Sequence, residues 1–105
     1  MYTPQRRFPR HQVEAPLLVR GVASSLSNAY RGHSTNLSEG GVGAIITGEL
    51  SPGQIVLMEL VLPGELQPLV ARARICYRND LQCGFEFLGV EARAQQLIRT
   101  ACAMT

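Results

Sequence analysis

The sequence contains no lysine and no tryptophan. All ten basic side chains are therefore arginine, whose planar five-donor fork suits phosphates and guanine edges better than the point charge of an ammonium. A GC-rich gene would produce the same arginine count, so the count alone does not choose a ligand. Aromatic residues are few, three tyrosines and three phenylalanines, and the net charge is only +2. Both facts speak against a small DNA- or RNA-binding barrel, which stacks bases on exposed rings and carries a strong positive field. Cysteine is scarce as well. Cys76, Cys83 and Cys102 are odd in number and form no CxxC pair, so neither a disulfide framework nor a thiolate metal site is expected. His11 and His33 stand outside metal-ligand spacing. No apolar run approaches the ~20 residues that cross a bilayer. Residues 1–10 also lack the apolar stretch of a secretory signal. The expectation is a cytoplasmic protein without membrane insertion.

What is present suffices for one small folded domain: 105 residues, 46% of them apolar. Residues 1–11 hold Pro4, Pro9, three arginines and one histidine. Pro9 holds Phe8 in extended geometry, so Arg6 and Arg10 do not share a helical face, and the segment reads as a flexible arm. The domain proper then spans 12–105. Short strand-like runs follow over 13–20, 30–36, 42–47, 54–62, 69–78 and 83–88, divided by Gly- and Pro-containing turns and by a polar loop over 23–28. Pro16 marks an edge or a bulge in the first run. Six short strands at this spacing predict an antiparallel β-barrel or sandwich. Residues 91–104 have no Gly or Pro, and Ala94, Leu97, Ile98 and Ala101 recur at helical spacing. They predict one amphipathic C-terminal helix.

Burial sets a register for the last two strands. A two-residue turn at Asn79-Asp80 would set Arg74 against Phe85 and Arg72 against Phe87. A loop one residue longer sets Ile75 against Phe85 and Ala73 against Phe87, which buries the apolar set together. The second register is expected, with Arg72, Arg74 and Arg78 facing outward and no Cys76–Cys83 disulfide.

No catalytic constellation is visible. Seven glutamates and Asp80 are scattered, and no acid pair or nucleophile is placed by pattern. Two short strings remain. Arg6-Arg7-Phe8-Pro9-Arg10 is an RxxxR pair, which ten arginines produce about once by chance. Asn36-Leu37-Ser38-Glu39-Gly40-Gly41 contains an Asp/Asn-x-Ser-x-x-Gly string, a pattern expected roughly 0.02 times at this composition. By itself that string fits a plain turn, with Asn and Ser bonding nearby backbone and Gly40-Gly41 permitting positive φ. A plain turn is the first reading of the string alone, and a ligand loop the second.

The two strings together resemble the signature of the PilZ domain family. Pro52-Gly53-Gln54 and Cys83-Gly84-Phe85-Glu86-Phe87 extend the likeness to nearly the whole chain. The resemblance implies a six-stranded β-barrel with a flanking helix and, as ligand, the second messenger cyclic di-GMP. It assigns ligand binding to Arg6, Arg7, Arg10, Asn36, Ser38 and Gly41. A guanidinium can bond guanine O6 and N7, stack on the purine, or pair with phosphate. Asn36 and Ser38, two apart on an extended chain, share a face and can meet a guanine edge. Gly41 would allow a sharp turn and keep the approach clear. The family more often has Asp at the position of Asn36, and the amide lacks that charge. The resemblance further implies a non-enzymatic receptor without cofactor or metal. It would act on an unidentified downstream protein in motility, biofilm or secretion pathways, its arm closing over the ligand. A protein-interaction module of the same fold without ligand is the alternative.

Overall fold

The computed structural model describes residues 8–22 and 28–104. The first seven residues of the expected arm and most of the loop expected over 23–28 lie outside the described residues. Strands β1 (Pro16–Gly21), β2 (Ala29–Leu37), β3 (Gly41–Ile46), β4 (Ile55–Leu60), β5 (Leu69–Asn79) and β6 (Gln82–Leu88) precede helix α1 (Ala92–Ala103). The strands close into a barrel in the order β1-β2-β3-β6-β5-β4, and β4 returns to pair with β1. Every neighbouring pair is antiparallel.

Side-chain alternation explains the closure. In β4, Val56, Met58 and Leu60 are fully buried while Ile55, Leu57 and Glu59 face out. In β5, Leu69, Ala71, Ala73 and Ile75 point inward and Val70, Arg72 and Arg74 outward. The small Ala73 stands opposite the large Phe87, as fits the limited width of a small barrel. Pro16 opens β1, where its missing N–H costs no internal ladder bond. The buried residues Val13 and Ala15 precede β1 rather than belonging to it. A side chain takes the place of the ladder there. The buried Ser34 hydroxyl donates to the Val13 carbonyl and accepts from the Ala15 N–H, while the Ser34 N–H donates to the Ala15 carbonyl. This entry segment covers the part of β2 that the shorter β1 leaves unpaired, and it ends in a bridge between His11 and Leu37. The residue after Arg10 is thus fixed to the barrel.

The β5–β6 pairing has Ala73 opposite Phe87 and Ile75 opposite Phe85. The connection differs from the longer loop expected. Asn79 pairs with Gln82, so the turn holds two residues, Asp80 and Leu81, and Asp80 takes the left-handed φ of 55°. The missing residue of offset is a bulge at Cys76, between Ile75 opposite Phe85 and Tyr77 opposite Gly84. Beyond the bulge the alternation is inverted. Tyr77 turns outward over Gly84, where any Cβ would overlap its ring. Arg78, expected to face solvent, is instead half-buried, with Nη2 donating to the Gly48 carbonyl at 3.3 Å and Nη1 buried without a partner. No disulfide links Cys76, Cys83 and Cys102.

Helix α1 lays Ile98, Ala101 and Cys102 against the barrel core, with Ala94 and Leu97 partly buried beside them. The Cys102 thiol lies 3.6 Å from the Leu37 carbonyl. That contact places the helix beside the end of β2, next to the β2–β3 turn.

Candidate ligand-binding groove

The β2–β3 turn is locked from within. The Ser38 N–H donates to the Gly41 carbonyl at 2.9 Å, and the Ser38 hydroxyl oxygen accepts from the N–H groups of Gly40 and Gly41, each at 3.2 Å. Both lone pairs of that oxygen are then used, and its own proton has only a long contact to the Gly41 carbonyl at 3.4 Å. That donor is weakly held and can turn to another acceptor. From outside, the Phe87 N–H holds the Gly40 carbonyl at 2.9 Å. The turn is preformed by backbone bonds.

Neither Gly40 nor Gly41 has a positive φ. Gly41 is required for a different reason: it pairs with Glu86, and a Cβ there would overlap the Phe85 carbonyl oxygen. Asn36 follows a bulge at Thr35 and pairs with Gly43. A Cβ on Gly43 would meet Asn36 Nδ2 at 2.7 Å, so the amide rests on the space that glycine leaves. Leu37 points into the core, which carries its neighbours Asn36 and Ser38 on the outer side of the chain.

Arg10 reaches this surface. Its Nη1 donates to Asn36 Oδ1 at 3.4 Å across 26 residues of sequence. A groove of about 690 Å3 opens here, lined among others by Arg10, Ser38, Gly41, Glu86, Gln95 and Arg99. Asn36 meets the groove through Arg10 rather than on its wall. The charges on the wall are mostly matched. Arg99 pairs with Glu39 at 2.7 Å and Glu86 with Arg74 at 2.8 Å. Arg10 has no ion pair among the described residues; its partner is a neutral amide. Cys76, on its bulge, also faces the groove. Partial desolvation of the sulfur pushes its pKa up, Glu86 adds to the rise, and Arg74 and Arg10 pull against it. The side chain is a neutral thiol at pH 7.

The structure thus brings together Arg10, Asn36, Ser38 and Gly41. Arg6 and Arg7 lie outside the described residues. Sequence reasoning missed Gly43, for which the Gly-x-Gly spacing of residues 41–43 was an available signal. It also missed Glu86, Gln95 and Arg99, which no local pattern ties to the loop. Among the described residues, no group of three or more His, Cys, Asp or Glu side chains could hold a metal ion, and no helix is long and apolar enough to cross a membrane.

The sequence matches the PilZ domain family over residues 4–103. The chain belongs to the PilZ domain family. No curated protein matches it. Among solved structures it resembles the PilZ domain of CeSA from a cellulose-synthesizing bacterium. The TM-score is 0.71 at 21% identity, over 91% of this chain and 96% of that one. It also resembles the PilZ domain of Escherichia coli YcgR solved with c-di-GMP. There the TM-score is 0.71 at 18% identity, over 96% and 91% of the two chains. The Bacillus subtilis inhibitor of motility MotI/DgrA aligns with a TM-score of 0.75 at 20% identity, over 97% of this chain. The chain spans 51% of that protein's length. At these identities the likeness concerns the fold, and the closed barrel with one C-terminal helix is common ground for this PilZ domain and its neighbours.

Proposed function

We propose that this PilZ domain binds cyclic di-GMP in the groove between the β2–β3 turn, β6 and α1, as a receptor and adaptor rather than an enzyme. The observation that carries the reading is Arg10: a guanidinium without a counter-charge among the described residues, steered by Asn36 over a preformed turn. An anionic ligand with guanine edges uses both features. Phosphate supplies the ion pair that Arg10 lacks among the described residues, and the weakly held proton of Ser38 and the Asn36 amide offer bonds to a base edge. YcgR, a structural neighbour, is itself solved with c-di-GMP. In this reading Arg6 supplies the second guanidinium, Arg7 assists at phosphate, and Gly41 holds the turn close to β6. The segment 1–11 wraps the ligand and alters a surface read by a cytoplasmic partner protein.

The test is calorimetric titration of cyclic di-GMP into wild type and Arg10→Ala. Wild type should bind, and the variant should lose at least about tenfold in affinity, since charge-assisted bonds are among the strongest. No heat from wild type at high-micromolar ligand overturns the proposal in favour of an interaction module without ligand. Closure of the arm is tested separately by hydrogen exchange over residues 1–11, which should slow at saturating ligand.

A further inference from the structure

We propose that Arg99, on helix α1, is an additional ligand-binding arginine of the groove, held in reserve by Glu39. The inference rests on the reading of the groove as the cyclic di-GMP site. Arg99 and Glu39 are 60 residues apart in sequence, yet both side chains line the groove. Only Nε of Arg99 is engaged, donating to Glu39 Oε1 at 2.7 Å. No hydrogen bond among the described residues uses its Nη1 or Nη2. The terminal fork of the guanidinium is therefore free, and that fork is the part that matches a phosphate or a guanine edge. Gln95, one helical turn earlier, lines the same wall and offers an amide beside it.

Glu39 sits on the other side of the balance. Its carboxylate is in a groove read as taking an anion, where it repels phosphate and occupies Arg99. The Arg99 side chain is 55% exposed and that of Glu39 29%. An exposed pair of this kind contributes little to stability, whereas a guanidinium–phosphate fork is among the stronger polar contacts in proteins. Exchange of Glu39 for the ligand as the partner of Arg99 is thus favourable. It would tie the helix to the bound messenger and make Glu39 a brake on affinity.

The two members of one ion pair should then act in opposite directions. Titration of cyclic di-GMP by calorimetry should show Arg99→Gln binding about tenfold more weakly than wild type. Glu39→Gln should bind more tightly, by about threefold or more. In the Arg99→Gln background the gain from Glu39→Gln should shrink. Arg99→Lys keeps a cation beside Glu39 but loses the fork, so it should bind more weakly than wild type while melting at the same temperature. Unchanged affinity in Arg99→Gln, or weakening by both single variants, overturns the proposal, the second result meaning that the pair merely shapes the groove. Arg10→Ala, run alongside, separates the two ideas. If Arg10→Ala loses binding and Arg99→Gln does not, the cyclic di-GMP reading stands and Arg99 alone is dismissed. If wild type does not bind, both fall.

Discussion

Adding one methyl group at Gly41 or at Gly43 should have two different consequences, although the residues are two apart on one strand. At Gly41 a Cβ would overlap the Phe85 carbonyl oxygen, and the Phe85 carbonyl carbon and Glu86 Cα follow at 3.2 and 3.3 Å. All three atoms are backbone of a central barrel strand and cannot move alone. Overpacking of this kind costs about 1–3 kcal/mol. Alanine recovers about 0.4–1 kcal/mol by restricting the unfolded chain, because Gly41 does not need a positive φ. The net loss for Gly41→Ala is therefore about 1–2 kcal/mol, or about 4–16 °C in Tm for a domain of this size. At Gly43 the nearest atoms belong to the Asn36 amide, at 2.7–3.1 Å. That side chain can swing away, so the packing cost is small and the entropic gain cancels it. Gly43→Ala should melt within a few degrees of wild type, but its amide no longer meets Arg10. The loss of one such bond weakens ligand binding up to about tenfold. Thermal denaturation followed by circular dichroism reads the first effect, and calorimetric titration the second. Equal melting temperatures for Gly41→Ala and wild type, or a Gly43→Ala protein as destabilised as Gly41→Ala, would refute the reasoning from contact geometry.

Other consequences can be measured on stability alone. Ser34→Ala leaves the Ala15 N–H and the Val13 carbonyl without their shared partner at a buried position, which should cost about 1–3 kcal/mol in urea denaturation. A cost under a few tenths would mean that the entry segment is held by other contacts. Gly84→Ala should be destabilising because the new methyl overlaps the Tyr77 ring, and Tyr77→Ala in the same chain should relieve most of that loss in a double-mutant cycle. Burial is the largest cause raising the pKa of both Cys83 and Cys102. Between the unfolded and folded values the unfolded chain binds fewer protons, so stability present at neutral pH should fall as pH rises above about 9. Denaturation midpoints from pH 7 to 10 should show this fall, and Cys83→Ala/Cys102→Ala should flatten it.

The strands were legible because short strand-like runs sit between turn residues, with clear period-2 alternation in β4 and β5. The β5–β6 register was legible because only one pairing buries Ala73, Ile75, Phe85 and Phe87 together. Its mechanism was not. Residue pairing constrains the offset between two strands but not whether a longer turn or a bulge supplies it, and the bulge at Cys76 sends Tyr77 and Arg78 to the faces opposite those alternation assigns. Val13 and Ala15 looked like strand because they are apolar and buried, yet a serine side chain from β2 replaces their ladder. Arg10, Asn36, Ser38 and Gly41 were singled out because they lie in compact strings, which the structure brings to one place. The role of Gly41 was misjudged, since a short string cannot reveal that the β6 backbone passes so close. Arg99 was invisible for the same reason: its partner lies 60 residues away, and only the docking of α1 brings them together.

Closure of the barrel limits how a protein partner could read this domain. With β4 returning to β1, all six strands have a neighbour on both sides. A full-length open sheet edge, the usual seat for adding a partner's strand or for edge-to-edge self-association, is therefore lacking among the described residues. A partner must be recognised through side chains, on the outward positions of the strands, the loops or the helix. Those positions include Val70 and Leu66, the latter 98% exposed. Outward residues of this kind can be exchanged without disturbing the hydrogen-bonded wall behind them. The same barrel can thus be re-addressed to a new listener by a few surface substitutions, while the groove and its turn stay as they are.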